Sequence, residues 1–244
     1  MPTEDWQMTV EQLKNEEDAI RECVSRSYVD PSGAALPIYD GVVNPSVYLA
    51  ATTRILWILK EPCDEDDRSG GGWSLTEHLL NQRPFEMAKG PTFRPIIYVV
   101  YGILNRIQHY ADIPRISAAN QMALLLRSIA FINAKKLPGL KRSRNEEILE
   151  TYRASRELIL KQIHTYDPNY ILGCRPHMSV IMQDLGAKQD DIETHNNVRY
   201  FRLAGNCLLL EVFHPAQTTI RREQYVNDIL HVVALAGPEV LNAN

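Results

Sequence analysis

Four short apolar runs punctuate the chain, and amphipathic stretches fill the intervals between them. The runs are Arg54-Ile-Leu-Trp-Ile-Leu-Lys60, Ser128-Ile-Ala-Phe-Ile-Asn-Ala134, Asn169-Tyr-Ile-Leu-Gly-Cys174 and Cys207-Leu-Leu-Leu-Glu-Val-Phe213. Each is rich in β-formers and apolar on both alternating faces, as a strand buried between two layers must be. Helical periodicity predicts helices over Thr9–Ser27, Pro45–Thr52, Ser74–Asn81, Arg94–Tyr110, Ser117–Leu126, Arg144–Tyr166, Arg175–Leu185 and Ile220–Ala236. Val198–Leu203 reads as an extra strand, joined to the fourth run by a turn at Ala204-Gly205-Asn206. Strands separated by helices imply an α/β protein, with a mostly parallel sheet covered on both faces. No linker composition interrupts the pattern, so residues 1–244 are expected to form one domain, with a helical extension over about the first 50 residues.

Composition narrows the setting. At 45% hydrophobic and 23% charged residues, the chain has an ordinary core and no disordered character. Met1–Asn15 lacks the apolar segment of a signal peptide, and no stretch approaches the roughly 18 apolar residues of a membrane helix. Cys23, Cys63, Cys174 and Cys207 form no C-x-x-C pair, which argues against a structural zinc site or a disulfide framework. A cytoplasmic protein with reduced thiols is expected, without a metal or other cofactor. A net charge of −4 excludes a broadly basic surface, so any nucleic-acid contact must come from a local patch.

In an open parallel sheet, ligands bind outside the carboxyl ends of the strands. Those ends carry Glu61 after the first run, Asn133 in the second, Arg175 and His177 after the third, and His214 after the fourth. An acid and an imidazole together can hold water and stabilise a leaving group. An amide, with donor and acceptor side by side, suits the edge of a nucleobase. Each residue also has a structural explanation. Glu61 can cap a following helix, Asn133 can sit in a turn, and His214-Pro215 can open a loop. The acidic run Asp64–Asp67 fits a solvated loop better than a magnesium site, and Trp73 after three glycines is either a core anchor or a stacking platform.

At these positions the chain resembles the uracil-DNA glycosylase superfamily. Leu59-Lys60-Glu61-Pro62-Cys63-Asp64 stands where that family has G-Q-D-P-Y-H or G-x-N-P-G, and Phe213-His214-Pro215-Ala216-Gln217 where it has H-P-S-P. Ile129-Ala-Phe-Ile-Asn133 is similar to the strand ending L-L-L-N, and Tyr170-Ile-Leu-Gly173-Cys174 to the third core strand. The forms W-I-L-K-E-P and H-P-A-Q resemble those of a poorly characterised bacterial branch. The likeness spans about Ile55 to Val233.

It implies a three-layer α/β/α fold around a four-stranded parallel sheet ordered 2-1-3-4. It also implies a DNA glycosylase that hydrolyses the N-glycosidic bond of uracil or another damaged base. In that role Glu61 and His214 are catalytic, Asn133 reads the base and Trp73 stacks on it. Lys135, Lys136, Arg221 and Arg222, with Lys141, Arg142 and Arg144, are candidates for contacting the DNA backbone. The chain departs from the family pattern at Leu59 (usually glycine), at Cys63 (tyrosine in the best-known branch) and at Thr218 (the wedge position). A non-catalytic member of the same fold, binding a nucleobase, nucleotide or protein, is the alternative.

Overall fold

The computed structural model describes residues 8–62, 64, 70–139, 143–204 and 206–238. Helix α1 (Val10–Ser27) opens with a capping box, in which Thr9 and Gln12 each satisfy the other's backbone N–H. It buries Leu13, Ile20 and Val24 along one face. Strand β1 (Gly41–Val42) and helix α2 (Pro45–Ala50) follow. The first apolar run becomes β2 (Ile55–Leu59), buried at all five positions. Helices α3 (Leu75–Asn81), α4 (Pro84–Lys89) and α5 (Phe93–Leu104) lead to β3 (Ala130–Asn133). Then come α6 (Asn145–Ala154), α7 (Arg156–Tyr166), β4 (Tyr170–Cys174) and α8 (His177–Asp184). Strands β5 (Glu193–His195), β6 (Val198–Leu203) and β7 (Cys207–Val212) precede the last helix, α9 (Arg222–Ala236).

The seven strands form one sheet in the order β1-β3-β2-β4-β7-β6-β5. The four apolar runs are its central, mutually parallel neighbours. The expected sheet of four strands is therefore enlarged to seven, because antiparallel strands are added at both margins. Alternation along β2 explains the layering. Ile55, Trp57 and Leu59 face a core built with α3, α4, α5 and α9, whereas Leu56 and Ile58 face one built with α1, α2, α6, α7 and α8. Helices thus cover both faces.

Three helical expectations are corrected. The helix read over Arg94–Tyr110 ends at Leu104, and Arg106 beyond it takes the left-handed region (φ 54°). The stretch read as one helix over Arg144–Tyr166 breaks at Ser155, which leaves helical geometry (φ −114°, ψ 19°). The break lets α6 pack on α8 while α7 packs on α1. The stretch read as Ser117–Leu126 is a 3-10 helix over Asn120–Ser128, and its buried Ala123 and Leu126 are spaced by that helix's three residues per turn. Among the described residues, no helix is long and apolar enough to cross a membrane.

Candidate active site

β2 and β3 end side by side, with Leu59 in register with Asn133. Their pairing continues past the strands, since Ala134 N donates to Leu59 O (3.0 Å) and Lys135 N to Lys60 O (2.9 Å). Glu61 and residues 133–136 consequently leave the sheet together. Among the described residues Glu61 caps no helix; α3, the next one described, is capped by Ser74. Its carboxylate instead meets the Lys135 ammonium at 2.8 Å, and Lys135 also reaches Glu147 Oε1 on α6 at 2.6 Å. The Glu61 and Lys135 side chains are only 4% and 7% exposed. Gly139 closes over this pair: a Cβ there would fall 1.9 Å from Glu61 Cδ, so the backbone passes only because glycine has none.

Asn133 is buried and tied to an acid that lies before β1. Asp40 Oδ2 accepts from Asn133 N (2.7 Å) and from Asn133 Nδ2 (3.3 Å). Lys136 Nζ bonds both Asp40 oxygens, at 2.6 and 2.8 Å, and donates to Gln162 Oε1 at 2.8 Å. Gln162 Nε2 completes the ring by donating to Asp40 Oδ1 at 3.0 Å. Burial pushes the Lys136 ammonium below its ordinary range, and Asp40 works against that push.

His214 follows β7, three strand intervals from Asn133, or roughly 14 Å across the sheet. The Ala216 N–H donates to its Nδ1 at 3.2 Å, so the ring proton resides on Nε2. Burial, followed by the Lys60 charge, holds its pKa down at about 4, and the ring is neutral at physiological pH. His177, the first residue of α8, is fully buried, and burial and then Lys60 push its pKa to about 3. The Ile58 carbonyl lies near enough to oppose that shift, yet neither ring nitrogen makes a well-formed hydrogen bond with a described residue. Lys60 itself is held by Asn145 Oδ1 at 3.0 Å.

The remaining candidates separate. Gly70, Gly71 and Gly72 all have positive φ, and a Cβ on Gly71 would fall 1.9 Å from Leu36 O. This turn seats the Trp73 ring against the core, 5.7 Å from His78, in a groove of about 570 Å³ shared with Arg21 and Glu77. Trp73 connects to the site through Tyr39, whose N–H donates to Trp73 O at 2.9 Å and which precedes Asp40. Arg221 and Arg222 are exposed at the start of α9. Lys135 and Lys136 are not available to DNA. The expectation that they contact its backbone is corrected, because both are buried and neutralised by acids. Asp64 accepts from Gly71 N at 2.7 Å; Cys63, Glu65, Asp66, Asp67, Lys141 and Arg142 lie outside the described residues.

Neither a protein-family model nor a curated protein matches the chain. Sequence reasoning missed Asp40, Glu147 and Gln162, which hold the site from outside the strand ends, and it gave Lys60 and His177 no role. The one signal for the acids was the pair Lys135-Lys136 directly behind an apolar strand, which demands buried counter-charges if the backbone turns inward there.

Proposed function

We propose that the chain is a uracil-DNA glycosylase-like hydrolase that cleaves the N-glycosidic bond of uracil or another damaged base in DNA. The observation that carries this reading is the neutral His214, its Nε2–H free to donate at the same sheet edge as Glu61 and Asn133. The central parallel strands, taken in chain order, run second, first, third, fourth across the sheet, which supports the same reading. The target nucleotide leaves the base stack and enters at this edge. As the C1′–N bond breaks, the sugar gains oxocarbenium character and the bonding pair departs with the base. His214 Nε2–H donates to that anion, a contribution of roughly 3–4 kcal/mol for oxyanion-type donors. Glu61 holds water toward C1′, the water oxygen bonds there, and its proton ends on the departing base. Asn133 reads the base edge, Trp73 stacks near it, and Arg221 and Arg222 contact phosphates. Unpaired Cys23, Cys174 and Cys207 fit a reducing, cytoplasmic setting.

One observation favours a second reading, a non-catalytic nucleobase- or nucleotide-binding protein. The Glu61 carboxylate is already neutralised by Lys135 and is 4% exposed. A carboxylate so held orients water only if the segment over it moves.

Incubation with oligonucleotides containing uracil, hypoxanthine or xanthine, followed by alkali to cleave abasic sites, decides between them. The glycosylase releases a base, and Glu61→Gln and His214→Ala lose the single-turnover rate while keeping most of the affinity. Binding without release from any of the three would leave the second reading.

A further inference from the structure

The buried ring of Asp40, Lys136 and Gln162 meets the site at Asn133, whose backbone and side-chain N–H groups both donate to Asp40 Oδ2. An asparagine amide is nearly symmetric in shape, and a half-turn about its last torsion exchanges the oxygen and the NH2 group. In one orientation it complements a ring with an N–H beside a carbonyl, in the other a ring nitrogen acceptor beside an amino group. The energy difference between the two orientations sets how well such a residue discriminates.

We propose that Asp40 is a positioning residue for Asn133, taking one amide proton so that the oxygen and the remaining N–H are presented to a ring bearing adjacent N–H and C=O groups. The proposal rests on the reading of Asn133 as base-contacting. Both Asp40 oxygens accept from the Lys136 ammonium, and one also accepts from Gln162, so the carboxylate is ionised and has no proton to donate. A flipped Asn133 would set its oxygen against that carboxylate. The unflipped amide gives Nδ2–H at 3.3 Å, while the Asn133 backbone N–H at 2.7 Å fixes the base of the side chain. Among the described residues no donor reaches Asn133 Oδ1, which leaves it to a ligand.

The carboxylate cannot swing away either. The Asp40 and Lys136 side chains are 0% exposed, and Gln162 is held in turn by Tyr166 at 3.3 Å. The parts come from three places: the segment before β1, the loop after β3, and α7. Stability alone does not call for this arrangement, since an apolar cluster of the same volume serves as well or better than a buried ion pair. An orienting role accounts for its being polar where it meets the Asn133 side chain.

The test uses the full chain and hydrolysis-resistant single-stranded oligonucleotides carrying one 2′-fluorinated deoxyuridine or deoxycytidine. Wild type should prefer the uracil strand by roughly tenfold to a hundredfold. Asp40→Asn offers Asn133 either a donor or an acceptor, so the preference should fall to within about threefold, mainly through gained cytosine binding. Because Asp40→Asn leaves Lys136 without a counter-charge, Asp40→Asn/Lys136→Met, which removes both charges, is measured beside it, with thermal unfolding to show that it folds. In parallel, side-chain amide NMR should show one strongly protected Asn133 proton in wild type, with that protection markedly reduced in the double variant. A folded double variant that keeps the full preference overturns the proposal. A wild type indifferent to the two bases sinks the base-contacting reading instead. The amide spectrum then decides the positioning claim, which an unchanged Asn133 pair overturns.

Discussion

The Lys135 ammonium and the Glu61 carboxylate stand 2.8 Å apart at the ends of adjacent strands, almost wholly removed from water. Removing one member of such a pair strands a charge in the interior. Lys135→Met should cost about 3–5 kcal/mol. Lys135→Met/Glu61→Gln should recover much of that loss, because no charge is then left bare at Glu61. Urea unfolding of the two variants is the measurement, and equal stability of the single and double variants would contradict it.

Gly139 is the lid on that pair. In Gly139→Ala the new methyl would fall 1.9 Å from the Glu61 carboxyl carbon and 2.2 Å from Oε2, well inside van der Waals contact. The overlap should cost about 1–3 kcal/mol. Contacting residues couple, so Gly139→Ala and Glu61→Ala together should cost less than the sum of the two. Strict additivity in a double-mutant cycle would show that Glu61 does not lie beneath Gly139.

Glu17 of α1 makes the stability depend on pH in an unusual direction. Burial, set against the Val42 N–H and Tyr166 hydrogen bonds and joined by repulsion from Asp40 and Asp18, raises its pKa from 4.5 to about 7. The folded chain therefore holds this proton where the unfolded chain has lost it. The resulting stabilisation is full below about pH 4.5 and is lost as pH rises through 7. His177 and His214, depressed to about 3 and about 4, act oppositely: their stabilisation is full above 6.5 and is lost as pH falls through those values. Glu17→Gln mimics the protonated acid, so it should be more stable than wild type near pH 8 by up to about 3 kcal/mol. By pH 4.5 the two should be equal. Denaturation at both pH values checks this, and a difference independent of pH would count against it.

Exposed and buried cations should part company in DNA binding. Arg221→Glu/Arg222→Glu should weaken affinity and reduce the salt slope by roughly two, about 0.9 for each phosphate that is no longer neutralised. Lys136→Glu should act on folding instead, since it sets two carboxylates against each other in the interior. Titrations at several salt concentrations, with a thermal melt of each variant, separate the two effects. An unchanged salt slope in the arginine variant would remove Arg221 and Arg222 from the interface.

The parallel core was legible because β2, β3, β4 and β7 are apolar on both faces, a pattern few other settings produce. Glu61, Asn133 and His214 were legible as polar residues placed where such strands end. Burial of Lys135 and Lys136 was not, because a lysine is read as exposed until its acid is known, and Asp40 lies 96 residues away from Lys136 in the chain. The two-residue β1 is too short to show an alternation. The break at Ser155 was hidden because helical periodicity runs through it, and only the diverging partners of α6 and α7 require it.

Sheet margins of unpaired backbone invite pairing with a second chain. Here one margin is β1, whose outward Val42 N–H is taken by the Glu17 carboxylate at 2.7 Å, so a side chain stands where an intruding strand would need to bond. The other is the three-residue β5, polar and largely exposed, which offers too little length to template a neighbour. Helix α1 therefore acts as a guard against self-association as well as packing on the core. A chain shortened past Glu17 should expose the β1 margin and aggregate at concentrations where the full chain stays dispersed.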